Sequence, residues 1–285
     1  MTVPWLIAID LDGTLLHPDH TISAMSKETL YRVMASGHTI VLATGRPPRA
    51  ALPYHRELLL TTPLISLNGA ILWDETQQEI IAKKTISKSS ANDLIERSHA
   101  LGGRMAVAEI GFECYLLHRF GELGWTDSMT SFFQKAVLGS DPKRQPIEIR
   151  RDDGLPDSPC SLLLHVPRSQ HERFIKEASQ RPMLDVQFRS WREPYEVIEI
   201  SPSGVSKATA VRDVKNRLRL SLAKTLAFGD EMNDADLLRY ADVGIAMANA
   251  NPQLIPFADQ FTASNDQDGV AQYLNTYLLE KTREA

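Results

Sequence analysis

Short apolar runs of strand length alternate with segments of helical period along the first part of the chain. Trp5-Leu6-Ile7-Ala8-Ile9 is continuously apolar, and Leu6–Asp10 reads as a buried strand. Ser26–Ser36 reads as a helix, with Ser26 as its N-cap and Gly37 as its stop. Thr39–Ala43 reads as a second buried strand, and Arg49–Leu60 as a helix ended near Pro63. Leu64–Leu67 follows as a third strand and runs into the turn signal Asn68-Gly69. Ala70–Trp73 and Glu79–Lys84 then read as a hairpin. The same rhythm returns late in the chain. Ser206–Arg217, Asn233–Tyr240 and Val270–Lys281 read as helices, Thr225–Phe228 and Val243–Ala246 as strands. Strands that alternate with helices predict a doubly wound, Rossmann-like α/β core with a parallel sheet.

Between roughly Thr85 and Tyr195 the texture changes. A helix over Ser89–Leu101 is followed by strands over Met105–Ala108 and Glu113–Leu117, then by a polar, Pro-rich stretch from Gly139 to Pro159. Ser161–Val166 reads as strand, His171–Gln180 as helix and Val186–Phe188 as strand. The pattern predicts an inserted α+β cap over residues 85–195, with the core split into 1–84 and 196–285.

Composition narrows this picture. At 285 residues, 43% hydrophobic and 24% charged, the chain has room for two modest domains. A net charge of −5 argues against nucleic-acid binding through a broad basic surface. Cys114 and Cys160 have neither metal-ligand nor disulfide-framework spacing and read as reduced thiols. No apolar run reaches membrane-spanning length, and no basic leader precedes a long apolar stretch, so a cytoplasmic protein without a membrane partner is expected. The eight histidines lack ligand spacing, and His165 in its apolar strand reads as a core residue.

Four clusters fall just after strands or at a helix start, where open α/β sheets bind ligands. Asp10-Leu11-Asp12-Gly13-Thr14-Leu15 offers two carboxylates two residues apart, a flexible Gly and a hydroxyl. One acid is placed to attack as a nucleophile and the other to move a proton; an ordinary surface turn has the same composition. Thr44-Gly45-Arg46 offers a hydroxyl and amides to an anion, or simply a strand-to-helix turn. Lys207 opens a helix, where a cation opposes the helix dipole unless an anion sits nearby; a solvated lysine is the plain alternative. Gly229-Asp230-Glu231-Met232-Asn233-Asp234 crowds three acids into one loop, which suits a hard cation such as Mg²⁺ or, for a single acid, a helix cap. Trp125, Phe132 and Phe133 read either as a cap surface over substrate or as packing. Arg150-Arg151-Asp152-Asp153 reads as a solvated loop, and Trp191-Arg192-Glu193 as a segment that could face the site.

Taken together and in this order, the four clusters resemble the haloacid-dehalogenase-like superfamily, in particular its Cof-type phosphatases. Ser66-Leu67-Asn68-Gly69-Ala70, Gly244 to Ala250 and Ser264 to Ala271 resemble further stretches of that family. The resemblance covers the core and the position of the insert, but not the insert's sequence. It implies a Mg²⁺-dependent phosphatase that forms an aspartyl-phosphate. Asp10 would be nucleophile and metal ligand; Asp12 would be general acid and base, and its carbonyl a metal ligand. Leu11, Thr44, Gly45 and Asn233 would bind the phosphoryl group, Lys207 would neutralise it, and Asp230 would be the second metal carboxylate. Glu231 or Asp234 would act on the metal through water. The chain departs from the family where Ala208 follows Lys207 and where Ala248 stands before Asn249, two positions that usually hold Gly. The expected substrate is a small phosphorylated metabolite, first a sugar phosphate, with FMN, a flavin precursor or pyridoxal phosphate as rivals. A phosphomutase would use the same Asp10–Asp12 pair, and a non-catalytic phosphometabolite sensor would lack one of them. Either a monomer or a homodimer fits.

Overall fold

The computed structural model describes residues 4–117, 126, 130–131, 133–134, 137, 145–150, 153–181, 185–191 and 193–280. Contacts divide the chain into two compact units, residues 1–45, 51–81 and 206–285 in one, and 46–50 with 82–205 in the other.

The first unit begins with β1 (Trp5–Ile9), in which Leu6, Ile7, Ala8 and Ile9 are fully buried. A strand covered on both faces is apolar throughout rather than alternating. It pairs in parallel with β2 (Thr39–Leu42). Helix α1 (Ala24–Ala35) lies between them in sequence, and its N-cap is Ser23, whose Oγ accepts from the Ser26 amide at 2.9 Å. Ser26 therefore belongs to the first turn and is not the cap; the hydroxyls of both serines donate to Asp268 Oδ1, at 2.5 and 3.1 Å. Helix α2 (Pro48–Glu57) ends earlier than the sequence pattern implies, since Leu59 adopts a φ of 53°. Leu64–Ser66 forms β3, but a single parallel bridge, Ala43 to Ile65, joins it to the end of β2. Its ladder is antiparallel with β4 (Ile71–Asp74), and β5 (Glu79–Lys83) completes a separate three-stranded sheet.

The second unit holds α3 (Lys88–Ala100), β6 (Ala106–Ile110), β7 (Glu113–Leu117), β8 (Ile147–Glu148), β9 (Ser161–His165), α4 (His171–Ser179), β10 (Val186–Ser190) and β11 (Val197–Pro202). Its sheet runs β10-β11-β9-β6-β7-β8. One face packs on the two helices through Leu94, Ile95, Phe174, Ala178, Leu162 and Ile200. The other face carries Met105, Val107 and Leu163 under Phe133 and Trp191. Strand β11 was not foreseen. It pairs antiparallel with both β9 and β10, so the unit extends to Val205 rather than Tyr195. Phe133 is fully buried core, and His165 is held by the Arg104 amide at 3.2 Å. Arg49 and Glu109 form a twofold ion pair at 2.5 and 2.7 Å, each side chain 1% exposed. Trp125, Phe132, Arg151, Asp152 and Arg192 lie outside the described residues.

The chain returns to the first unit with α5 (Lys207–Arg217), capped by Ser206, then β12 (Lys224–Gly229), α6 (Ala235–Tyr240), β13 (Val243–Met247), β14 (Gln260–Thr262) and α7 (Gly269–Leu274). The main sheet is parallel in the order β14-β13-β12-β1-β2. β1 connects to β2 on one side while its neighbour β12 connects to β13 on the other, so the carboxyl ends of β1 and β12 form a switch point. Among the described residues, no helix is long and apolar enough to cross a membrane.

Candidate active site

Asp10 is the first residue beyond β1, and its amide donates to Phe228 O on β12 at 3.3 Å. The chain then makes one wide turn, Leu11–Leu15, closed by Leu15 N to Asp10 O (3.2 Å) and Leu16 N to Leu11 O (2.9 Å). Inside it Gly13 has a φ of 72°, a left-handed value that costs other residues about 1 kcal/mol. A Cβ on Gly13 would also lie 2.2 Å from Asp230 Oδ2. Only glycine lets the turn press against the loop after β12. Asp10 is 5% exposed, whereas the Asp12 side chain is 31% exposed. The turn thus sends one acid into the protein and leaves the other nearer to solvent.

Lys207 is fully buried, contrary to the plain expectation for a lysine on a helix. Its Nζ lies 2.7 Å from Asp10 Oδ1 and 2.7 Å from Asp234 Oδ1. Burial alone pulls an ammonium's pKa down, but the two carboxylates outweigh it and hold Lys207 protonated. Asp234 accepts the amides of Asp230 and Glu231 on its other oxygen, both at 3.1 Å, so it shapes the loop and anchors the ammonium. Asp230 Oδ1 accepts from Thr14 Oγ1 at 3.0 Å, which ties the two acid-bearing loops together.

Asp10, Asp230 and Asp234 bring carboxylate oxygens within 4.8 Å of one another. Three buried acids face one ammonium. Burial, and then mutual repulsion, push Asp230 up to about 8; burial pushes Asp10 up to about 7 against the pull of Lys207. The second oxygens of Asp10 and Asp230 accept no hydrogen bond from the described residues. An all-oxygen, under-compensated acid set of this kind fits a hard divalent cation.

Thr44 is buried at the end of β2, with its amide on Ile65 O and its carbonyl on Asn68 N, both at 3.0 Å. Gly45 follows beside Asn68 and Asn233, whose amides lie within 3.7 Å of where a Cβ would stand. Asn233 Nδ2 donates to Asn68 Oδ1 at 2.9 Å, while the buried Asn233 Oδ1 has no partner. Asn68, at a φ of 55°, is a site residue that sequence reading quoted only as part of a family stretch. Glu231 accepts from Asn251 Nδ2 at 2.6 Å and from the Met232 amide, and forms a capping box with Asp234.

The later family-like stretches brace the first turn. Asn249 Nδ2 donates to Gly13 O at 2.8 Å, and its Oδ1 accepts from the Asn265 amide at 3.0 Å. Both ends of the Asn249 amide are therefore committed. Asn265 Nδ2 holds Leu16 O at 2.7 Å, and Asp268 gathers His17, Ser23 and Ser26. Thr14 joins Asn68 and Asn249 among residues whose place only the fold makes visible.

A doubly wound α/β sheet, with buried acids and a buried lysine meeting at its switch point, defines a carboxylate-centred hydrolase architecture. The chain belongs to the haloacid dehalogenase-like hydrolase family, whose model matches residues 7–274. It is 30% identical over 278 residues to the 5-amino-6-(5-phospho-D-ribitylamino)uracil phosphatase YitU of Bacillus subtilis strain 168, covering 97% of this chain and 98% of that one. It is 28% identical over 286 residues to the pyridoxal phosphate phosphatase YbhA of Escherichia coli K12, covering 96% and 98%. A solved sugar phosphatase of haloacid-dehalogenase subclass IIB shares the fold at a TM-score of 0.78 and 20% identity, covering 96% of this chain and 98% of that chain.

Proposed function

We propose that the protein hydrolyses small phosphomonoesters through a phosphorylated Asp10. The observation that carries this reading is the convergence of Asp10, Asp230 and Asp234 on the buried Lys207. Such a cluster is costly unless a cation arrives to complete it. Asp10 attacks phosphorus as the carboxylate while Asp12 gives its proton to the departing alkoxide. Asp12 then takes a proton from the water that attacks the phosphoryl group, and Asp10 is restored as inorganic phosphate leaves. Lys207, the Leu11 amide, Thr44, Gly45 and Asn233 hold the equatorial oxygens, where charge builds in phosphoryl transfer. Asp10, Asp230 and the Asp12 carbonyl would hold Mg²⁺, which supplies charge neutralisation at the phosphoryl group. Asp234 and Glu231 position that loop from behind. Residues 82–205 act as the cap that selects the leaving group.

The substrate class divides into two readings. A sugar phosphate is the first. A phosphorylated ribityl precursor of flavins is the second, favoured by the 30% identity to YitU along nearly the whole chain. Both carry a phosphate on a polyol carbon, which sets them apart from pyridoxal phosphate. The test is phosphate release from a panel of phosphorylated metabolites with Mg²⁺, with excess EDTA, and with Asp10→Asn. Release by the native protein with Mg²⁺ alone supports the reading. Full activity in Asp10→Asn or in EDTA contradicts it.

A further inference from the structure

The turn after the first motif places a histidine against Asp12, and neither motif nor spacing drew attention to it. His20 Nδ1 lies 3.5 Å from Asp12 Oδ1. The backbone that carries it is unusual and firmly held. His20 has a φ of 66°, a left-handed conformation that side chains seldom adopt. The turn is closed by His17 N to Thr21 O at 2.9 Å and His20 N to His17 O at 2.8 Å. Asp19 Oδ1 accepts both the amide and the hydroxyl of Thr21, at 3.0 and 2.7 Å. Tyr54 Oη, from α2, donates to His20 O at 3.0 Å. A strained residue kept in place by several independent hydrogen bonds is a positional constraint, and here its side chain meets the acid with the greater exposure.

We propose that His20 is a positioning residue for Asp12. Its ring occupies Oδ1 and fixes the carboxyl plane, so that the other oxygen carries the proton given to the leaving group. This rests on the phosphatase reading above, in which Asp12 is the general acid. The role predicts a particular kinetic signature. An alkoxide leaving group needs a well-aimed proton, whereas an aryl oxide of low basicity hardly needs one. Loss of positioning therefore falls on alkyl esters.

The test compares kcat/KM, which reads the transfer to Asp10 and not the later hydrolysis common to both esters, for an alkyl phosphate, such as glycerol phosphate, and for p-nitrophenyl phosphate in the native protein, His20→Gly and His20→Asn. Glycine removes the ring and accepts the positive φ. Asparagine also tolerates that φ and places an amide near the former Nδ1. The alkyl-to-aryl ratio of kcat/KM is expected to fall about tenfold in His20→Gly, a fraction of the effect of a full general acid. His20→Asn is expected to restore it to within about threefold of native by the same reasoning. An unchanged ratio in His20→Gly, or an equal fall for both esters, overturns the inference. A native protein inactive on both esters and on the metabolite panel contradicts the phosphatase reading instead.

Discussion

Lys207→Met removes the one buried cation from a cluster of three buried acids while keeping most of the side chain's volume. Each 2.7 Å contact of Nζ, to Asp10 and to Asp234, is worth about 6 kcal/mol at an effective dielectric constant near 20. Taking the ammonium out of water offsets much of that sum. The net cost of breaking a buried pair by deleting one partner is about 3–5 kcal/mol, because the remaining charges stay uncompensated. At about 2–4 °C per kcal/mol for a unit of this size, the midpoint of thermal unfolding should fall by about 10 °C. Asp234→Asn in the same background removes one stranded charge and should recover part of the loss. The assay is thermal and urea unfolding of the native, single and double variants in EDTA at neutral pH. Phosphate release with Mg²⁺ should fall at least about 10²- to 10³-fold, the scale for losing one preorganised stabiliser of transition-state charge. A stability loss under about 1 kcal/mol, well below the range for a buried pair, would refute the reasoning. So would a double variant less stable than the single one.

Gly13→Ala should lower stability by about 2–4 kcal/mol, through left-handed strain and the collision with Asp230, and should sharply reduce turnover; unfolding and kinetics check both. The stabilisation conferred by Mg²⁺ should grow with pH. Asp10 and Asp230, raised from 3.8 to about 7 and about 8, keep protons in the metal-free fold that the unfolded chain has already lost. Their contribution to the metal-free fold therefore declines as pH rises from about 4 to about 8, and a cation that binds the ionised pair restores it. Unfolding midpoints with Mg²⁺ and with EDTA across that range read the difference, and a gap that narrows with rising pH counts against the account.

Much of the site was legible because its groups follow strands that the apolar pattern announces. Leu6–Ile9 and Thr225–Gly229 are buried runs, and Asp10 and Asp230 are the first polar residues beyond each. What stayed hidden depends on distant partners. Lys207 reads as a surface residue by local pattern and is buried only because Asp10 and Asp234 receive it. Thr14, Asn68 and Asn249 reach across more than a hundred residues to their partners, beyond any spacing rule. Ser23 rather than Ser26 caps α1 because the helix begins at Ala24, with Ser23 in extended backbone and its hydroxyl on the Ser26 amide. Strand β11 ends at Pro202 and leads straight into Ser203-Gly204, so it resembles a linker until its pairing with β9 and β10 is seen. Leu64–Ser66 is a strand as its pattern implies, and one parallel bridge, Ala43 to Ile65, ties it to β2. Its composition suits a parallel core strand, yet the turn at Asn68-Gly69 folds it into an antiparallel ladder.

The central claim is that Asp10 becomes phosphorylated, and trapping that species tests it most directly. The native protein is mixed with Mg²⁺ and a turned-over phosphomonoester, quenched in acid during turnover, and treated with borohydride. Borohydride reduces an aspartyl-phosphate to homoserine and leaves a free carboxylate intact. Peptide mass mapping is expected to find homoserine at Asp10, and at no other carboxylate, only when both substrate and Mg²⁺ are present. Homoserine at Asp12 or Asp230, or an unmodified Asp10 under conditions where a phosphoenzyme is shown kinetically to accumulate, would contradict the account.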